Sequence, residues 1–354
     1  MSYTPYKNQP NQAFWYRAVA GVSETEVDPV SFSSFRIGTT DKVATAGSCF
    51  AQHISKYLKS AGIEPYITEY PHPIVQDISE NFQYGVYAAR YGNIYTSRQL
   101  LQLFLRAYGK FVPTNEFWLG SDQCLYDPFR PSIPDGFGSV EELRVDQKRH
   151  LECVREMFEN LNIFVFTLGL TETWEATCDG SVFPSCPGAI AGFYNANSYR
   201  FLNLNVFEII KDLRDFISLL RSVNASAKLI LTVSPVPLVA TATNNHVLPA
   251  TTYSKSVLRV ASQEIVDTHS DVDYFPSYEI ITGSHTRGQF FDKDYRNIKP
   301  EGVEMVMKLF SRHYIDNVIN AEIEHQIKEN SIKIAQEAMN VFCEELQNDS
   351  NFKS

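Results

Sequence analysis

Continuously apolar segments alternate with segments of helical periodicity along most of the chain. Residues 43–46, 163–168 and 228–233 are largely apolar, which is typical of strands buried on both faces of a parallel sheet. Helical spacing predicts helices that start near Ser97, span 140–161 and 206–223, run from Tyr253 to about His269, and start at Pro300. The alternation predicts an α/β fold, with a mostly parallel, doubly wound sheet between two helical layers in a three-layer α/β/α sandwich.

Two shorter segments complete the predicted sheet. Residues 64–70 predict a second strand, which the prolines of Pro71-His72-Pro73 end, and residues 273–275 predict a last strand. Ligands of such sheets bind beyond the carboxyl ends of the strands. We therefore expect one functional rim, built from the segments that follow strands: Cys49, Gly169–Trp174, 234–250 and 276–297.

The remaining segments divide the chain into three parts. Residues 1–40 are irregular and rich in aromatic side chains, which either pack on the main domain or bind a glycan or other ligand. Residues 41–315 form the α/β domain, with loop-rich insertions at 109–138 and 175–204 that could serve as lids. Residues 316–354 have a charged helical pattern, which predicts either a helix packed on the domain or on a second subunit, or a solvated tail.

Composition excludes several classes of function. The 354 residues carry a net charge of −10 and contain no Lys/Arg-rich segment, which argues against nucleic-acid binding. No segment approaches the roughly 18 apolar residues of a membrane span, and the N-terminus lacks the apolar core of a signal peptide. We therefore expect a cytoplasmic protein without a membrane span.

The six cysteines are scattered and form no Cys-x-x-Cys pair, so we expect no metal site. Cys178 and Cys186 flank an Asp-Gly turn and could face each other across a hairpin. In a reducing compartment, two separate thiols are the alternative.

Residues 43–54 carry the strongest chemical signal. They predict a buried strand, a tight turn at Gly47, and a helix that runs to about Gly62. Ser48 is predicted to cap this helix with its hydroxyl oxygen. Cys49 then lies at the positive end of the helix, where a thiolate is stabilised and backbone N–H groups can bind an oxyanion. The segment predicts an uncovered nucleophilic sulfur with a proton carrier on the same edge of the sheet.

The sequence Gly47-Ser48-Cys49-Phe50-Ala51 resembles the signature of the GSCFA family, and the resemblance extends from about Val43 to Phe310. That family is similar to the SGNH (GDSL-type) hydrolases and acyltransferases, whose serine nucleophile lies in a Gly-Asp-Ser-Leu turn. Ser48 then takes the place of the aspartate and Cys49 that of the serine. The resemblance implies an SGNH-like fold and acyl chemistry.

Two further blocks match this pattern. Gly92 and Asn93, in Tyr-Gly-Asn-Ile-Tyr-Thr, stand where SGNH enzymes provide an oxyanion donor, although a plain tight turn before a helix explains them equally. Thr171 takes the place of the SGNH asparagine in Gly-x-Asn-Asp, and a hydroxyl can donate with a shorter reach. Glu172, beside Trp174, is expected to bind substrate hydroxyls or orient a histidine; a helix-cap or surface carboxylate is the alternative.

The last SGNH block, Asp-x-x-His, is incomplete. Asp294 matches its aspartate, but Asn297 replaces the histidine and cannot act as a base. His246 is our first candidate for the proton carrier because it follows a strand. His53, His285 and His72 are the further candidates. For each of the four, a structural histidine in a loop or in the core is the alternative, and it is the favoured one for any single position. His150, His269, His313 and His325 are placed on helices away from the rim.

These observations predict a Cys49-dependent esterase or O-acyltransferase that uses an ester or thioester and a small-molecule or glycan substrate. No cofactor is expected; acyl-CoA is a conceivable donor, but no phosphate-binding motif supports it. A homo-oligomer could form through the C-terminal helix. The alternative is a non-catalytic carbohydrate- or ligand-binding domain that lost the Asp-x-x-His base.

Overall fold

A computed structural model describes residues 4–60 and 62–316. The helices are α1 (Ala51–Ser60), α2 (Ser97–Ala107), α3 (Val140–Asn160), α4 (Val206–Val223), α5 (Val247–Val266), α6 (Ser277–Thr282) and α7 (Pro300–Tyr314). The strands are β1 (Val43–Gly47), β2 (Trp118–Leu119), β3 (Leu125–Tyr126), β4 (Ile163–Leu168), β5 (Glu172–Ala176), β6 (Val182–Phe183), β7 (Tyr199–Asn203), β8 (Lys228–Val233) and β9 (Val272–Phe275). The predicted C-terminal helix and His325 lie outside the described residues.

The central sheet has the order β1-β4-β8-β9, and all its neighbours are parallel. The three apolar segments predicted as strands form its centre. The prediction of a regular second strand at 64–70 is wrong: this segment follows the edge of β1 with a bond from Tyr66 N to Val43 O (3.1 Å) but forms no ladder. Its Thr68 N–H instead donates to the Ala88 carbonyl oxygen.

Alternating residues of β4 face two separate cores. Phe164 and Phe166 pack with α2–α5, whereas Ile163 and Val165 pack with α1, α6 and α7. Each strand therefore buries apolar side chains on both faces, which explains its continuous apolar sequence. This arrangement confirms the predicted α/β fold with a parallel sheet between two helical layers.

The insertion at 175–204 is more regular than its composition suggests. β5 pairs with β6 and β7 in an antiparallel sheet, and β2 pairs with β3 within 109–138. Trp118, Phe183 and Tyr199 form a small separate core beneath these strands. Aromatic packing thus organises a segment that its Gly, Pro and Asn residues marked as a loop.

The described part of the N-terminal arm divides into an attached and an exposed section. Ile37 pairs with Ile315, and Asp28 accepts a hydrogen bond from Arg312, so residues near 27–37 are fixed on α7. Phe35 is buried, but four other aromatic side chains that we expected to pack are largely exposed: Tyr6, Trp15, Tyr16 and Phe32. Within 4–60 and 62–316, no helix combines the length and the apolarity that a membrane crossing needs.

Candidate functional site

β1 ends in a turn that only glycine can form. Gly47 has φ +140°, and a Cβ atom there would lie 2.3 Å from the carbonyl oxygen of Thr167 in β4. The next residue, Ser48, donates its N–H to the same oxygen at 3.1 Å. The close approach of two parallel strands therefore fixes the direction in which the chain enters Ser48 and Cys49.

Helical hydrogen bonding starts at Ser48, but its hydroxyl does not cap the helix. The Ser48 carbonyl accepts from Ala51 N (2.8 Å) and the Cys49 carbonyl from Gln52 N (3.2 Å), while the Ser48 Oγ is buried with no partner among the described residues. The predicted side-chain N-cap is therefore wrong. Cys49 lies in the turn before α1 and is only 8% exposed, so its sulfur is more covered than we expected.

The end of β4 packs directly on this turn. Gly169 donates its N–H to the Tyr95 carbonyl at 2.9 Å, and a Cβ at Gly169 would lie 2.9 Å from the Ser48 Cβ. A side chain larger than hydrogen at position 169 would thus push the two strand ends apart. The structure brings the ends of β1 and β4 together at one rim, as the parallel topology requires.

Lys255 is a buried lysine at the same rim that sequence reasoning missed. Its side chain is about 1% exposed and its Nζ donates to the Gly169 carbonyl oxygen at 2.7 Å. The neighbouring Ser254 Oγ accepts from Thr171 N at 3.1 Å. The signal was available: Lys255 lies three residues before Leu258 and seven before Ser262, on the buried face of α5.

Three buried hydroxyl groups near the ends of β1 and β4 have no hydrogen-bond partner among the described residues: Ser48 Oγ, Thr167 Oγ1 and Thr171 Oγ1. Buried polar groups are normally hydrogen-bonded, so each such group calls for a water, an ion or a ligand. Ser48 follows β1, Thr171 lies beyond the end of β4, and Thr167 lies within β4 opposite Gly47.

Gly92 and Asn93 also pack against the turn. Gly92 has φ +68°, and the next residue, Ile94, donates its N–H to the Gly47 carbonyl at 2.8 Å. Asn93 Oδ1 accepts hydrogen bonds from Gln52 Nε2 (3.2 Å) and Tyr87 Oη (2.7 Å). Asn93 is therefore held between α1 and Tyr87, and the role of these residues as oxyanion donors stays a prediction.

Glu172 and Trp174 belong to β5 rather than to a helix cap. Glu172 accepts from Thr241 Oγ1 at 2.6 Å and from Ala242 N at 3.3 Å, and thereby holds the loop after β8. Burial raises the pKa of Glu172, against the lowering effect of these two hydrogen bonds. Trp174 packs edge-on against Tyr194, with ring centroids 5.3 Å apart.

The Asp294 carboxylate accepts hydrogen bonds from residues of its own turn. Its Oδ1 accepts from the Arg296 and Asn297 N–H groups, and its Oδ2 accepts from Asn297 Nδ2 at 2.6 Å. The side chain is exposed. Desolvation is the largest single effect on the pKa of Asp294 and raises it, but the bonds from Arg296 and Asn297 together lower this pKa on balance. The side chain of Asn297 is thus bonded to Asp294 within this turn.

The candidate histidines differ in what their rings do. His246 and His72 are exposed N-caps, whose Nδ1 atoms accept from Leu248 N (3.1 Å) and Ile74 N (3.3 Å). Because His246 caps α5, that helix starts at Val247, six residues before the predicted start.

The other two histidines are partly buried. Desolvation, with a smaller effect of Lys56, lowers the pKa of His53 to about 3, and its Nδ1 has no partner among the described residues. Burial also lowers the pKa of His285, against the opposing effect of Glu24. His53 is therefore neutral at pH 7 and cannot act there as a general acid.

The other cysteines and the histidines on helices were not predicted to belong to the site. Cys178 and Cys186 are not joined in a disulfide, and Cys178 is exposed. His313 contacts Asp28 at 2.7 Å. His150, which we placed away from any site, is buried against Glu69 at 2.7 Å and lines a cavity described below.

The fold and this rim define an α/β/α protein whose cysteine-bearing turn follows the first strand of a parallel sheet. The sequence model of the GSCFA family matches residues 42–310, and the chain belongs to the GSCFA family. Searches of curated proteins and of solved structures gave no match.

Proposed function

We propose that this protein is a thiol-dependent acyl-transfer enzyme, an esterase or O-acyltransferase, that acts on an ester or thioester at the Cys49 turn. The observation that supports it most is the group of unpartnered buried hydroxyls at Ser48, Thr167 and Thr171, near the ends of β1 and β4. Hydrogen-bond donors fixed in a poorly solvated site are what a developing oxyanion requires. The resemblance to SGNH hydrolases and acyltransferases supports the same reaction class.

In this mechanism the Cys49 thiolate attacks the carbonyl carbon, and the carbonyl oxygen becomes an oxyanion held by Thr171 and by backbone N–H groups at Cys49 and Gly92. The carbon–oxygen or carbon–sulfur bond of the leaving group breaks, and the leaving group takes a proton from His246, the candidate proton carrier. Water or an acceptor hydroxyl, on a small molecule or glycan, then attacks the Cys49 thioester and gives a proton back to His246, and the carbon–sulfur bond to Cys49 breaks to regenerate the thiolate. No cofactor is required.

Lys255 supplies a positive charge near the site. The incomplete Asp-x-x-His block lacks the histidine that could carry such a charge. Its ammonium is fixed on Gly169, which packs on Ser48, so it favours thiolate and oxyanion at this rim. His246 remains the candidate proton carrier. Since its Nδ1 accepts from Leu248 N, its proton resides on Nε2, and Nε2 is the atom that would exchange protons.

The test compares Cys49→Ala with Cys178→Ala, the substitution of an exposed cysteine. Hydrolysis of a panel of short- and medium-chain p-nitrophenyl esters and thioesters is measured, with and without polyol acceptors. We expect Cys49→Ala to abolish turnover and Cys178→Ala to retain it. Equal turnover in both variants and wild type would remove Cys49 from the mechanism.

A non-catalytic ligand-binding domain is the second candidate. The bond between Asp294 and Asn297 and the low exposure of Cys49 favour it. Iodoacetamide labelling across pH separates the two functions: an acyl-transfer enzyme has a Cys49 that reacts at lower pH than Cys178, whereas a binding domain has a Cys49 that reacts no faster than its other thiols.

A further inference from the structure

A small cavity lies between α2, α3 and the loop near Arg130, on the sheet face covered by α2–α5. Its volume is about 20 Å³, enough for one water-sized particle. The lining residues that matter here are Asn93, Gln99, Gln102, Arg106, Arg130 and His150. Asn93 is the one residue of this group that the cavity shares with the proposed acyl-transfer site.

Two buried arginines line the cavity with N–H groups that have no acceptor in the described residues. Arg130 donates from Nε to Asp127 (2.8 Å) and from Nη2 to Asp146 (2.6 Å), but its Nη1 is buried and unbonded. The Arg106 guanidinium lies 3.5 Å above the Phe129 ring and makes no hydrogen bond to any residue of 4–60 or 62–316. Buried guanidinium N–H groups strongly favour an acceptor.

The amide oxygens that could serve as acceptors are already used. Gln99 Oε1 accepts from Tyr95 N and Thr96 N, both at 2.9 Å, and Gln102 Oε1 accepts from Val182 N at 2.9 Å. The Gln99 amide nitrogen makes no hydrogen bond within the described residues. The glutamines therefore present donors rather than acceptors to the cavity.

The carboxylates of this region are paired with other groups. Glu69, Asp127 and the partly exposed Asp146 pair with Arg90 or Arg130, whereas Arg106 makes no ion pair within residues 4–60 and 62–316. Burial together with Arg130 lowers the pKa of His150, against the opposing effect of Glu69. Desolvation, with Arg130 and against Asp127, lowers the pKa of Arg106 to about 10. One more negative charge would offset this desolvation.

We propose that the cavity binds a single small anionic group, either a free halide or the carboxylate of a small acid. A water oxygen could also accept from the guanidinium groups, but water carries no negative charge to offset their desolvation. The site does not depend on the proposed acyl chemistry.

The experiment measures the melting temperature of the full chain at constant ionic strength, as sodium isethionate is replaced by sodium bromide, chloride or acetate. We expect a saturable increase of about 2 °C in wild type with at least one of the three small anions. An increase with halides alone identifies a free ion, and one with acetate identifies a carboxylate; both support the site.

The matched variants are Arg106→Gln and Arg98→Gln, two charge removals on α2. Arg98 pairs with Asp212 instead of lining the cavity, so Arg98→Gln should retain the anion response that Arg106→Gln loses. If Arg106→Gln does not fold, anomalous diffraction from wild-type crystals soaked in bromide decides. No anion response in wild type, an equal response in both variants, or an ordered water in place of bromide would overturn the proposal.

Discussion

The ammonium group of Lys255 donates a 2.7 Å hydrogen bond to the carbonyl oxygen of Gly169, the first residue after the central strand β4. Gly169 in turn packs on the Ser48 Cβ. A lysine in the middle of a long helix thus reaches the edge of the sheet where the cysteine turn lies. Electrostatic interactions are stronger in the interior than at the surface, so a cation at this position acts more strongly on neighbouring ionisable groups than a surface lysine does.

Replacing Lys255 by methionine removes this charge and keeps the length of the side chain. We expect the pH at which Cys49 is half-maximally alkylated to rise by about one unit, because the thiolate loses a nearby cation. The measurement is iodoacetamide labelling across pH with peptide mass spectrometry. Ser254→Ala is the control, since it removes the neighbouring bond to Thr171 N without changing charge. An unchanged alkylation midpoint in Lys255→Met would show that Lys255 does not influence the ionisation of the Cys49 thiol.

Gly47→Ala tests the close approach of β1 and β4. The new Cβ would lie 2.3 Å from Thr167 O at a φ of +140°, so the two strands must separate. We expect a loss of about 2–4 kcal/mol in the free energy of unfolding, measured with urea. Gly38→Ala is the matched control: φ there is not in the left-handed region and the nearest atom is Asp41 Oδ2 at 3.6 Å. Equal stability of both variants would contradict the steric argument.

The sequence was most informative where local pattern and burial agree. The continuous apolar runs at 163–168 and 228–233 became β4 and β8, and the Gly47 turn before a helix formed as predicted. The prediction of a strand at 64–70 was wrong. This edge segment is held by hydrogen bonds from Tyr66 and Thr68 and does not form a regular β-ladder. The pattern also failed for Trp15 and Tyr16, since aromatic composition does not say which surface an arm covers.

The sequence did not predict the buried polar contacts, because these contacts join residues that are far apart in the chain. Glu69 and His150 are 81 residues apart, and Lys255 meets Gly169 across 86. Neither pair has a local signature, because the sheet order and helix packing decide which polar side chains meet in the interior. The N-cap formed by His246 is a local feature, but the sequence around it was ambiguous. A histidine in a loop after a strand can cap the next helix or belong to a site at the edge of the sheet.

Asp127→Asn tests the buried arginine cluster. Asp127 accepts from Arg130 Nε at 2.8 Å, and both side chains are almost fully buried, so the substitution leaves a poorly compensated charge. We expect a loss of about 3 kcal/mol in the free energy of unfolding. Glu116→Gln breaks the exposed pair with Arg144 and should cost under about 0.5 kcal/mol. Similar losses in the two variants would show that burial does not strengthen the Asp127 pair.

His53 predicts a particular dependence of stability on pH. Burial lowers the pKa of its imidazole from 6.5 to about 3, so between these values the unfolded chain binds a proton that the folded chain does not. The contribution of the neutral His53 imidazole to the free energy of unfolding is therefore complete above pH 6.5. This contribution is lost as pH falls towards 3, by at most about 1.4 kcal/mol per pH unit. Unfolding in urea between pH 7 and 4 measures it. His53→Leu should flatten the curve relative to wild type, whereas His72→Asn, at an exposed cap, should leave its slope unchanged. Parallel curves for wild type and His53→Leu would mean that folding does not lower the pKa of this imidazole.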